Sequence, residues 1–153
     1  MPSITRFLAT EADTLALGAA LAPRLQPGLV VYLSGELGAG KTTLARGILR
    51  GLGYRGRVKS PSFALVEPYN IFKLYLYHFD FYRFTDPQEL EEAGFREYFN
   101  PEAVCLVEWP ENARGIIPPA DITIKIGAVG SGRQVEIDSS TEAGKLCVER
   151  LTK

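Results

Sequence analysis

At 153 residues, 46% hydrophobic and 23% charged with a net charge of −1, the sequence is that of one globular domain with room for a sizeable core. No apolar run is long enough to span a bilayer and the N-terminus lacks a signal-peptide pattern, so a cytoplasmic protein with no membrane attachment is expected. The charge is unevenly spread: five basic residues and no acid lie between Arg46 and Lys59, and five acids with one arginine between Asp86 and Glu97.

Met1–Thr10 contains Ile4, Phe7 and Leu8 and reads as a short edge strand. Thr10 before Glu11-Ala12-Asp13 has the form of an N-cap with acids in the first turn, and Leu15, Leu17, Ala20 and Leu21 continue a helix that Pro23 ends. Pro27-Gly28 is a turn. Leu29–Leu33 is a β-branched, apolar strand that runs into Gly35, and Gly40-Lys41-Thr42 follows after four residues, giving G-x-x-x-x-G-K-T. That spacing has a physical reason. Gly38 and Gly40 let the backbone curl so that successive N–H groups, Ala39's among them, face a polyphosphate. A helix starting at Lys41 aims its positive end at the same charge. Lys41 supplies a point charge between phosphates, and the Thr42 hydroxyl, followed by Thr43, is suited to Mg²⁺. Leu44, Ile48, Leu49 and Leu52 mark the apolar stripe of that helix, which Gly51 and Gly53 end. These features predict a nucleoside triphosphate site.

Arg57-Val58-Lys59-Ser60-Pro61-Ser62-Phe63 follows. Two hydroxyls flank a proline that biases Ser60 away from helix, which suits either a switch-like loop that senses a γ-phosphate or a plain turn with a capping serine. Ala64–Tyr69 and Leu74–Arg83 read as an antiparallel strand pair across Asn70–Lys73. In the second strand Leu74, Leu76, His78, Asp80 and Tyr82 share one face, and Tyr75, Tyr77, Phe79 and Phe81 the other. The aromatic face is core packing. The His78–Asp80 face is either solvated or brings Asp80 to the metal shell or the attacking water. Asp86-Pro87 opens a short acidic helix, broken at Gly94. Ala103–Val107 followed by Glu108 has the pattern of a buried parallel strand delivering a carboxylate to the Mg²⁺ side of the phosphate loop, with Trp109 as packing or a wall of the site. Asp121–Ile126 and Gln134–Ile137 form a hairpin across Gly127–Arg133, and Thr141 caps a last helix reaching Leu151. Cys105 and Cys147 form no C-x-x-C pair, and Cys105 lies in an apolar run, which fits a buried reduced thiol.

The combination of Gly35–Thr43, Val58–Phe63, His78-Phe79-Asp80-Phe81-Tyr82-Arg83, Glu89 to Gly94 and Val107-Glu108-Trp109-Pro110-Glu111 resembles the bacterial TsaE (YjeE-type) ATPases of tRNA threonylcarbamoyladenosine biosynthesis. The phosphate loop is generic, whereas H-x-D-x-Y-R followed by V-E-W-P is close to diagnostic. Ser62 departs from the threonine that the family usually has there, with the hydroxyl kept. The resemblance implies that Lys41 and the Gly38–Gly40 amides hold ATP phosphates and that Thr42 and Glu108 hold Mg²⁺. It further implies Asp80 as the catalytic or metal-organising acid, Ser60 and Ser62 in a switch-like loop, and Glu11, Glu111 and Arg133 around the rest of the nucleotide. It implies a partner of the TsaD–TsaB type, with tRNA reached through that complex.

The expectation is therefore a single P-loop α/β domain, its mainly parallel central sheet flanked by helices and carrying an antiparallel extension, acting as an accessory Mg²⁺-dependent ATPase. A small-molecule kinase is disfavoured by the lack of a long arginine-rich lid segment. A GTPase is disfavoured by the lack of N-K-x-D, and a tRNA-binding module has only the Arg46–Lys59 run in its support.

Overall fold

The computed structural model describes residues 3–152 except 37, 59–60, 62–64, 72–73 and 85. Its frame is one seven-stranded sheet in the order β1-β7-β6-β2-β5-β4-β3. The strands are β1 (Ser3–Leu8), β2 (Val30–Ser34), β3 (Val66–Ile71), β4 (Leu74–Asp80), β5 (Ala103–Glu108), β6 (Ile122–Val129) and β7 (Gly132–Ser139). Pairing is parallel through β6-β2-β5-β4, while β3 on one side and β7-β1 on the other pair antiparallel. The expected mixed α/β architecture with a parallel centre is what forms.

Burial follows position in the sheet. Every residue of β5 is buried, as the unbroken apolar run Ala103–Val107 requires of a central strand covered on both faces. In β6 and β7 the inward residues Ile122, Ile124, Ile126, Val135 and Ile137 alternate with more exposed polar ones, so one face of this wing stays wet.

Helices α1 (Glu11–Leu21), α2 (Lys41–Gly51), α3 (Pro87–Glu92) and α4 (Glu142–Glu149) flank the sheet. Thr10 closes a capping box with Asp13, and the Thr141 hydroxyl accepts the Gly144 N–H at 3.1 Å. A 3₁₀ turn containing Pro23 takes over from α1, and a second, Phe95–Tyr98, follows α3 past left-handed Gly94. Helices α1 and α2 cross closely because both are glycine there. A Cβ on Gly18 would meet the Ile48 nitrogen at 2.7 Å, and one on Gly47 the Leu15 carbonyl oxygen at 2.5 Å.

The hairpin differs from the sequence reading. Gly127–Val129 and Gly132-Arg133 belong to the strands, and only Gly130 and Ser131 make the turn. Glycine here reports crowding rather than a loop: a Cβ on Gly132 would lie 2.6 Å from the Phe7 ring and 2.7 Å from the Leu8 carbonyl oxygen. Ala64, Phe72 and Lys73 lie outside the described residues, and Asn70 and Ile71, read as turn, are the last residues of β3.

Candidate functional site

Because β2, β5 and β4 run parallel, their carboxyl ends finish on one edge. Leu33 is registered with Glu108, and Glu108 with Asp80. The loop 35–40 leaves β2 at this edge and enters α2 at Lys41, so phosphate loop and both carboxylates converge where ligands bind in such sheets.

The loop is held from outside by Arg133, whose Nε donates to the Ala39 carbonyl at 2.8 Å and whose Nη2 donates to the Gly38 carbonyl at 3.3 Å. A trans peptide points its N–H opposite its C=O, so holding the Ala39 carbonyl turns the Gly40 N–H away from Arg133. Gly40 stands at the helix N-cap with φ of 111° and no side chain to cap the first turn, which leaves amides of that turn for a ligand. Gly35 lies so close to the Ile126 carbonyl that no Cβ fits between them.

Lys41 is only 4% exposed. Its Nζ donates to the Gly35 carbonyl at 2.6 Å and lies 3.9 Å from the centroid of the Trp109 ring. Burial lowers the pKa of its ammonium, opposed by the charges of Glu108, Asp80, Glu111 and Glu36. Trp109 is held with φ of 55°, a left-handed conformation costly for a bulky residue, and its ring lies 5.0 Å from that of Tyr82. The strained backbone points the indole back over the lysine.

Glu108 Oε2 accepts from the Thr42 hydroxyl at 3.4 Å and lies 2.6 Å from His78 Nε2. Asp80 Oδ1 accepts the Tyr82 N–H at 2.9 Å. Burial raises the Asp80 pKa, and the neighbouring Glu108 charge raises it further; the Tyr82 N–H, His78 and Lys41 oppose this. The face that sequence left open between solvated and functional is buried: His78 is 0% and Asp80 8% exposed.

Glu11 and Arg133 line a cavity of about 300 Å³ with Thr10, Gly38, Gly40 and Thr43. Glu11 also pairs with Arg46 at 2.8 Å. Glu111, whose charge acts on Lys41, lines a different cavity of about 490 Å³ with Tyr32, Ser34, Arg114 and Thr123. Ser60 and Ser62 lie outside the described residues. Of the basic run, Arg46 is paired as above and Arg50 donates to the Tyr54 and Gly56 carbonyls at 2.9 and 2.7 Å. Cys105 and Cys147 are buried free thiols, their pKa values pushed up by burial to about 12 and about 11.

Sequence reasoning missed two contacts, His78 to Glu108 and Trp109 over Lys41. The first was findable from the alternation along β4 once a parallel neighbour ending in Glu108 is assumed. The second has no sequence signal, since it depends on the backbone turn at Trp109.

Mg²⁺ fits the donor set. Thr42 and Glu108 offer hard oxygen ligands side by side, with Asp80 in register beside Glu108, a set that a divalent cation would suit. Among the described residues no group of three or more His, Cys, Asp or Glu could cage a metal unaided, so such an ion would share its shell with phosphate oxygens or water.

Residues 8–135 match the family described as "Threonylcarbamoyl adenosine biosynthesis protein TsaE". The chain is 46% identical to the tRNA threonylcarbamoyladenosine biosynthesis protein TsaE of Haemophilus influenzae, over 95% of each chain. It is 37% identical to the protein of that name from Bacillus subtilis, over 92% of this chain and 89% of the relative. The crystal structure of Bacillus subtilis YdiB superposes with a TM-score of 0.84 at 31% identity, covering 99% of this chain and 95% of that one.

Proposed function

Since the chain belongs to the TsaE family of threonylcarbamoyladenosine biosynthesis proteins, we propose that it binds and hydrolyses ATP with Mg²⁺ in support of that tRNA modification. The observation that carries this reading is the convergence of Lys41, the Thr42–Glu108 pair and Asp80 at the carboxyl edge of adjacent parallel strands. The first-turn amides and Lys41 hold the phosphates; Lys41 leaves the Gly35 carbonyl to do so. Thr42 and Glu108 hold the cation, which when bound neutralises charge building on the phosphate oxygens. Asp80, kept partly desolvated beside Glu108, accepts a hydrogen bond from the attacking water and orients it. The cavity bounded by Glu11 and Arg133 takes the rest of the nucleotide.

Turnover is slow in the isolated chain. No arginine of the described site is placed to serve the γ-phosphate, since Arg133 is spent on the loop carbonyls. A TsaD–TsaB-type complex, with tRNA bound to it, is the partner that completes the site. The experiment is ATP hydrolysis by the chain alone and with that complex and tRNA, beside Lys41→Ala and Glu108→Ala. Slow turnover that partners raise and both substitutions abolish is expected; turnover indifferent to partners, or surviving Lys41→Ala, would overturn the reading.

A small-molecule kinase is the second reading. The cavity beside Ser34, Glu111 and Arg114 favours it, because an acceptor there would sit on the strand feeding the phosphate loop. Transfer of phosphate to a metabolite instead of water would select it.

A further inference from the structure

His78 is fully buried on β4: Leu76, which precedes it on the same face, and Leu106, its partner on β5, are both 0% exposed, while Asp80 follows it on that face and Glu67 is its partner on β3. An imidazole is an expensive occupant of such a position unless its nitrogens are bonded. Nε2 has one strong bond, to Glu108 Oε2 at 2.6 Å, and Nδ1 is buried with no partner among the described residues. A carboxylate oxygen only accepts, so Nε2 carries a proton and donates it to Glu108 Oε2. Glu108 is itself enclosed, its side chain 4% exposed, so this bond is formed out of competing water.

We propose that His78 is the positioning residue of the cation site: by donating to Oε2 of Glu108, the oxygen that also accepts from the Thr42 hydroxyl, it fixes the carboxylate beside Thr42 for a divalent cation or its water. The inference rests on the magnesium–nucleotide reading of the site and adds a residue to it. Partners of this kind orient metal ligands elsewhere, and losing one lowers metal affinity about 10- to 100-fold. The alternative is a polar core residue that contributes only to packing.

The two are separated by chemistry at a single atom. Glutamine places an amide N–H close to where Nε2 stands; asparagine reaches only as far as Nδ1, and leucine fills the space without a donor. Titration of ADP in Mg²⁺ and in EDTA gives the magnesium-dependent gain in affinity for each protein, with unfolding midpoints measured beside it. His78→Leu and His78→Asn should lose about tenfold or more of that gain while their affinity in EDTA stays within twofold of wild type. His78→Gln should keep most of the gain. If His78→Leu does not fold, the contrast between Asn and Gln still decides. An equal gain in all three variants would overturn the proposal. So would parallel losses in Mg²⁺ and EDTA that track unfolding midpoints, which is what packing alone predicts. No magnesium-dependent gain in the wild type would remove the underlying reading and this proposal with it.

Discussion

On the sheet face covered by α1 and α2 the core is mainly aliphatic, built from Leu17, Leu21, Leu44, Ile48 and Leu49 against Val31, Leu33, Leu76 and Leu106, with Tyr69 as its buried ring. Behind β4 and β5 on the opposite face it is aromatic: Phe79, Phe81 and Phe95 with Tyr77, Tyr98 and Phe99. The functional side chains belong to the first face. His78 and Asp80 alternate with Phe79 and Phe81 along β4, and Glu108 follows Val107 along β5, so each polar group faces α2 while its neighbours anchor the strand from behind. The difference shows a division of labour. The aliphatic face carries the helix that presents Lys41 and Thr42, crossed closely by α1 at Gly18 and Gly47; the aromatic face backs the strands that present the acids. The short α3 and the turn after it can cover the second face because each ring buries a large area.

The largest effect expected from breaking this division is on the aromatic side. Phe79 is 0% exposed and lies within 6.1 Å of four other rings, with Phe99 stacked at 5.0 Å. Phe79→Ala should cost about 3–5 kcal/mol in denaturant unfolding. Below its unfolding transition it should still bind ADP within a few-fold of wild type, because no phosphate-binding group is on that face. A collapse of affinity in the folded variant would show the faces to be coupled.

Next comes the helix crossing. Gly47→Ala gains helix propensity but drives a methyl into the Leu15 carbonyl, so a net loss of about 1–3 kcal/mol is expected. Unlike Phe79→Ala, it should also weaken ADP binding in the folded protein, because α2 carries the phosphate loop. Calorimetric titration beside thermal unfolding measures both.

The smallest effect is electrostatic. Burial raises the Asp80 pKa above its unfolded value, so ionising Asp80 opposes folding above the folded-state pKa and the penalty vanishes below the ordinary carboxylate range. Asp80→Asn keeps the acceptor for the Tyr82 N–H and should be more stable than wild type at neutral pH. That advantage should shrink as the pH falls toward 4, the unfolded carboxylate pKa being about 3.9. An advantage that grows on acidification would reverse the sign of the account. Unfolding midpoints between pH 4 and 8 suffice.

Much of this was readable in the sequence for reasons that are local. The G-x-x-x-x-G-K-T spacing, the unbroken run Ala103–Val107 and the two-residue period of β4 each determine an element without knowledge of its neighbours. What could not be read depends on which strands touch. That Asp80 lies opposite Glu108 follows only once β4 and β5 are parallel neighbours, and the His78–Glu108 bond follows from the same pairing. Glycines misled here: Gly127 and Gly132 read as a loop and are strand, and Gly132 marks crowding against Phe7 and Leu8. Glu11 and Glu111, alike as acids in the sequence reading, line different cavities.

The central claim is that Lys41 and the Thr42–Glu108 pair form one magnesium–nucleotide site. Equilibrium titration of ADP into the wild-type protein and Lys41→Ala, each in Mg²⁺ and in EDTA, tests it most directly. The account predicts saturable binding strengthened by Mg²⁺ in the wild type and weakened by about 100-fold in Lys41→Ala, whose unfolding midpoint stays close to wild type. Undiminished binding to folded Lys41→Ala would contradict it.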